Sequence, residues 1–125
     1  MVLTFNSNTV YVQTTQTTGD FKAYSADVLG PATTTILTVP AGKKFLMKQI
    51  ILSCGGTNAN GKIFLNQGAG DAEIAFAKMG TSATTTEQNL YIDGIVLEEG
   101  NTVKVNCTAS GGVAFGCING YEITL

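Results

Sequence analysis

Hydrophobic positions in this chain recur every second residue rather than every third or fourth. Val103, Val105 and Cys107 alternate with Lys104, Asn106 and Thr108, and Val113, Phe115 and Cys117 follow on one parity. That period marks half-buried β-strands. Ser110-Gly111-Gly112 separates the two runs and predicts a hairpin. Tyr121, Ile123 and Leu125 resume the parity after Asn119-Gly120. A bulge is therefore expected at that dipeptide, with Tyr121 packed in the core.

Upstream, Ile36-Leu37-Thr38-Val39 ends at Pro40-Ala41-Gly42, a turn with proline at its corner. The run Lys43–Cys54 then holds apolar residues on both parities, which predicts a long central strand covered on both faces for part of its length. Asn60-Gly61 reads as a tight turn before a strand over 62–66. Gln67–Asp71 turns the chain again. Ile74 and Phe76 alternate with Ala75 and Ala77, and a strand is preferred there to a short helix, although Ala, Glu and Lys favour the helix. Gly80–Thr86 is a polar loop. Leu90 and Ile92 lead to a predicted turn at Asp93-Gly94, and Ile95-Val96-Leu97 runs into a second at Glu98-Glu99-Gly100-Asn101. No window of a dozen residues carries a helical period without Gly or a Thr cluster intruding. Turn signals every 8–12 residues or so are the spacing of an all-β sandwich or barrel.

The start of the chain differs. Threonine clusters at 14–18 and 33–35 flank scattered apolar residues, and only Val10 and Val12 alternate with polar neighbours. The first 38 residues therefore read as a polar arm or edge strand. A length of 125 residues suits one domain.

Composition narrows the chemistry. There is no His, no Trp and no Arg, and charged residues are 13% of the chain, against about 25% in an average domain. Without His, Ser-His-Asp and Cys-His catalysis and His-ligated metal sites are excluded. Seven dispersed lysines and a net charge of −2 argue against nucleic acid as a partner. No apolar run approaches the roughly 20 residues of a membrane span. The start, Met1–Asn6, has no basic n-region or long apolar stretch, so no signal peptide is expected. Cys54, Cys107 and Cys117 are expected as inert thiols, with pairing of Cys107 and Cys117 left open.

Other candidates are weak. Gly42-Lys43-Lys44 enters a strand, not a helix, so it is no phosphate loop. Asp71, Asp93, Glu98 and Glu99 lie in turns, where nothing in the spacing makes two of them converge as a glycosidase requires. Asp93, Glu98 and Asn101 match no calcium-loop spacing. Tyr11, Tyr24, Tyr91 and Tyr121 are the aromatics that a carbohydrate-binding module would use. No enzyme activity, metal or cofactor is expected. The sparse charge instead suits a surface covered by neighbours, because interface cores are depleted in Lys, Glu and Asp.

Two stretches carry a resemblance. One is Ile36–Leu52, with Val39-Pro40-Ala41-Gly42-Lys43 before a long apolar strand; the other is Ile95–Val105, with Leu97-Glu98-Glu99-Gly100-Asn101, closing later with Gly120-Tyr121-Glu122-Ile123. Over residues 33–125 this order resembles small β-sandwich virion proteins of tailed bacteriophages, which decorate or cement capsids or build tail and fibre parts. The resemblance implies a single antiparallel β-sandwich of jelly-roll type over residues 33–125, with residues 1–32 as an extended N-terminal arm or edge-strand segment. It implies a non-enzymatic capsid decoration or cement protein, with a tail, neck or fibre component as the alternative and a sugar-binding module further behind. Its partners would be the major capsid protein lattice and copies of itself, a trimer being one such assembly. It would assemble in the host cytoplasm and reside in the virion. The interaction residues expected are Tyr11, Phe21 and Tyr24 near the arm, and Thr84 and Thr85 in the 80–86 loop.

Overall fold

The computed structural model describes residues 19–56, 59–78 and 86–125. Eight strands follow one another: β1 Asp20–Leu29, β2 Ala32–Thr38, β3 Lys43–Gly55, β4 Asn60–Asn66, β5 Asp71–Lys78, β6 Thr86–Leu97, β7 Thr102–Cys107 and β8 Val113–Thr124. The described residues contain no helix. The strands form two four-stranded antiparallel sheets, ordered β1-β8-β3-β6 and β2-β7-β4-β5. One apolar core lies between them, built from Phe45, Met47, Ile50, Leu52 and Ile118 on the first sheet and Ile36, Ile63, Leu65, Val103 and Val105 on the second. Among the described residues no polar or charged side chain is fully buried.

Only one pair of consecutive strands, β4 and β5, is joined as a hairpin, with Asn66 opposite Asp71. Every other connection crosses from one sheet to the other. Three sequence expectations change for this reason. Ser110-Gly111-Gly112 is a crossover from β7 to β8, not a hairpin. Asn60-Gly61 opens β4 instead of turning before it. Asp93-Gly94 lies inside β6, where Gly94 takes a φ of 136° and the register against β3 jumps from Gln49–Tyr91 to Met47–Ile95.

The bulge expected at Asn119-Gly120 belongs to the partner strand. Met47 faces Gly120 and Gln49 faces Asn119, so Lys48 of β3 is the extra residue. Its ammonium donates to the Asp93 carbonyl at 2.8 Å, which holds the displaced side chain beside the β6 kink.

The parity of β8 is the reverse of expectation. Ala114, Gly116, Ile118 and Gly120 face the core, while Val113, Phe115 and Tyr121 face outward. Tyr121 is therefore no core residue; it is 42% exposed. The reason is volume. A Cβ at Gly116 would stand 2.7 Å from Ile63 Cδ1 and 2.9 Å from Ile36 Cδ1, so the opposite sheet has already filled that space. β5 follows the same rule: Ala75 and Ala77 are buried, and Phe76 lies outside beneath the Lys62 ammonium, 5.7 Å from the ring centre.

The long β3 strand is central in its sheet, as read from the sequence. Its second face, with Leu46 and Ile51, is only half-buried and no second layer of described residues covers it. Asp20–Leu29, from the segment read as arm or edge strand, is one of the two edge strands of this sheet among the described residues and pairs with β8 along its whole length. Residues 1–18 lie outside the described residues.

Candidate interaction surface

The two sheets present unlike outer faces. On the β2-β7-β4-β5 face, polar cross-strand pairs predominate. Lys104 lies 3.3 Å from Asp71 and Lys62 lies 3.6 Å from Glu73. Asn106 donates to Thr33 Oγ1 at 2.9 Å and to the Ala32 carbonyl at 3.2 Å. The Asn66 amide and the Lys104 ammonium hold the Asp71 carboxyl below the usual range. This is an ordinary solvated sheet face.

The β1-β8-β3-β6 face is mainly apolar. Phe21, Leu29, Val113, Phe115, Tyr121 and Val96 are all exposed there, Phe21 at 62% and Leu29 at 76%. The register lines them up: Phe21–Tyr121–Leu46–Val96 forms one rung, and Leu29–Val113 another at the far end. Phe21 meets Tyr121 edge-on, with ring centres 5.7 Å apart and planes at 73°. On the neighbouring rung the Asn119 amide donates to Gln49 Oε1 at 2.7 Å. Large exposed apolar patches on soluble domains mark interaction sites.

The residues expected to interact separate. Phe21 belongs to the apolar face. Tyr24, three residues later, points the other way: its ring packs against buried Phe45 at 5.6 Å, and its hydroxyl donates to Glu122 Oε2 at 3.3 Å. Its ring thus lies at the rim of the core, on the side of β1 opposite Phe21. Tyr11, Thr84 and Thr85 lie outside the described residues, as does the Tyr91 side chain. The sequence reading missed Leu29, Val113, Phe115 and Tyr121. The signal was available in Ala114, Gly116 and Gly120, whose small side chains share the opposite parity.

Burial, and then the Glu122 carboxylate, push the Tyr24 hydroxyl above the ordinary tyrosine range. A raised folded-state pKa means that the protonated form is held more tightly in the folded protein. The stability it contributes is complete below a pH of about 10 and is lost as pH rises through the folded value. Tyr24→Phe should therefore flatten the alkaline fall of the thermal midpoint. Parallel falls in the two proteins above that pH would show that the hydroxyl is not coupled to folding.

A second feature sits at one end of the sandwich. Val39 N–H donates to the Asn101 carbonyl at 3.0 Å, and Gly100 N–H donates to the Val39 carbonyl at 2.8 Å. Gly42 N–H donates to Glu99 Oε1 at 2.9 Å, and Lys44 lies 3.4 Å from Glu98. The last strand joins them, because Leu125 N–H donates to the Gly42 carbonyl at 2.9 Å and Lys43 donates to Thr124 Oγ1 at 3.0 Å. β1 starts at this same end.

The acidic residues are dispersed among separate partners: Asp71 with Lys104, Glu98 with Lys44, and Glu99 with a backbone amide. Asn101 Oδ1 accepts from the Glu98 N–H at 2.8 Å, as a turn residue does. Among the described residues, no group of three His, Cys, Asp or Glu side chains could hold a metal ion. Cys54, Cys107 and Cys117 are free thiols, and burial pushes Cys54 and Cys117 above the usual thiol range. No helix among the described residues is long and apolar enough to cross a membrane. No protein-family model, curated protein or solved structure matches the chain.

Proposed function

We propose that this protein is a non-enzymatic structural component of a tailed-phage virion, one that binds between capsid subunits and cements the shell. The observation that carries the reading is the joined end of the sandwich. The two stretches bearing the resemblance and its closing motif are remote in sequence, yet Val39–Lys44, Glu98–Asn101 and Thr124–Leu125, just past that motif, are hydrogen-bonded into one unit, and this joining supports reading them together.

The strand order supports the jelly-roll assignment. With β1-β8-β3-β6 facing β2-β7-β4-β5, the first and last strands are neighbours and one hairpin joins the second sheet, as two nested Greek keys require. Jelly rolls recur in viral capsid proteins and in lectins alike, so the fold alone does not choose a function. The apolar outer face favours a role exercised through contact.

The mechanism is linkage. A protein that binds only the junctions of an assembled shell shifts the assembly equilibrium toward that shell by mass action. Many copies make weak single contacts sufficient. β1 starts at the joined end of the sandwich, and in this reading the part of the 1–32 arm that precedes it would reach a neighbouring subunit. In this reading the protein assembles in the host cytoplasm and stays in the virion. The test is cosedimentation of purified protein with capsids lacking it. Saturable binding with a gain in capsid melting temperature is expected; absence of saturable binding overturns the proposal. Cryo-EM of the decorated particles separates shell from tail, because density confined to the tail, neck or fibres would move the protein to that class.

A further inference from the structure

The apolar β1-β8-β3-β6 face has no cover among the described residues, although β3 carries the two-sided apolar pattern of a strand packed on both faces. We propose that a second copy of this chain supplies the missing layer, with the same face packed against itself about a two-fold axis. This pairing does not depend on the virion reading.

Area and charge both fit this occupant. Four strands of about ten to thirteen residues span roughly 19 by 36 Å, or about 700 Å² per copy and about 1,400 Å² for the pair. That falls in the size class of stable, specific interfaces, about 1,200–2,000 Å². Sheets of this kind stack about 10 Å apart with side chains interdigitated. The charged residues of this face are Asp27, Lys44 and Lys48, and Lys48 is held by the Asp93 carbonyl; the rest is uncharged, which suits a partner with a similar face, and its own copy is one. A two-fold interface must be self-complementary, and the middle rung, Ser25–Cys117–Ile51, is uncharged where it meets its own copy.

Charge also chooses the direction. With like ends together, Lys44 of both copies would crowd one end. With opposite ends together, the two Lys44 residues are separated by the length of the strand, and Asp27 lies over the other copy's small, uncharged Ala23. The rung of Phe21 and Tyr121 then packs on the partner's Leu29 and Val113.

The test is the molar mass of the full chain by light scattering over a concentration series. The wild type is expected at twice the chain mass of 13.0 kDa. Leu29→Glu and Phe21→Lys, both at exposed positions, should each keep the wild-type melting profile at low concentration and weaken the pair about tenfold or more. An equimolar mixture of the two variants should regain the double mass, because the opposite-end arrangement brings the new carboxylate to the new ammonium. Cys117 lies on the same face, so its labelling by a thiol reagent should slow with concentration in the wild type and not in the single variants. A wild type that is monomeric throughout, a trimeric mass, or pairing indifferent to both variants overturns the proposal. Failure of the mixture to recover the pair overturns the opposite-end arrangement.

Discussion

Gly120→Val is expected to leave little folded protein, with a cost on the order of 4 kcal/mol or more. Gly120 faces the core on β8 at the point where β3 carries its extra residue, Lys48. The bulge drives the β3 backbone toward β8, and a Cβ at Gly120 would overlap the Leu46 carbonyl oxygen and crowd Met47 Cα at 3.1 Å. Backbone held in two ladders, against β6 and β8, cannot step aside as a side chain would. Gly116→Ala is the informative comparison. Its methyl would meet the flexible ends of Ile63 and Ile36, together with the less yielding Val105 Cβ at 3.0 Å. A cost of about 1–3 kcal/mol is expected there. Denaturant unfolding measures both, and a Gly120→Val midpoint equal to that of the wild type would refute the close approach of β3 to β8.

Phe45→Ala should destabilise the protein by about 3–5 kcal/mol. Phe45 is buried near one end of β3, an interior strand of the first sheet, and its ring meets Tyr24 edge-to-face at 5.6 Å with planes at 74°. Truncation removes the transferred apolar area and leaves a cavity that the flanking strands cannot close. It also frees the Tyr24 ring, whose pairing contributes about 0.5–1.5 kcal/mol beyond area burial. Total stability of a domain this size is typically about 5–15 kcal/mol, so a large share is at stake. Phe76→Ala is the control, because Phe76 lies outside under Lys62. The two substitutions delete the same atoms. Equal shifts in the midpoint, with unchanged denaturant slope, would contradict the inward and outward assignments of the two rings.

The apolar face explains why part of the surface was illegible from pattern alone. Alternation tells which residues share a side of a strand, and it marked Val113, Phe115, Cys117 and Tyr121 correctly as one set. It does not say which side is the core. The usual rule puts the larger apolar set inside, and β8 and β5 both break it. On β8 the inner set is small because Ile36 and Ile63 reach across from the opposing sheet to Gly116. Tyr24 and Phe21 were both legible as anchors in one short segment, but odd and even positions of β1 send them to opposite sides. The candidate surface was thus half visible: its neutrality could be read from composition, and its location could not.

The sequence by itself determined that the described residues form strands and no helix, that strands run near 36–39, 43–54, 62–66 and 103–107, and that Pro40–Gly42 and Glu98–Asn101 are turns. These follow from local chemistry: period-two alternation, β-branched residues, and proline and glycine at the corners. Pairing was decided only by the tertiary structure. Seven connections could have been hairpins, and one is; β1 instead finds β8, some hundred residues away, at the register Phe21–Tyr121. Hydrogen-bonding edges are chemically alike in every strand, so no local signal names a partner. Which edges meet, and which apolar parity turns outward, is settled by how two sheets fill one core volume.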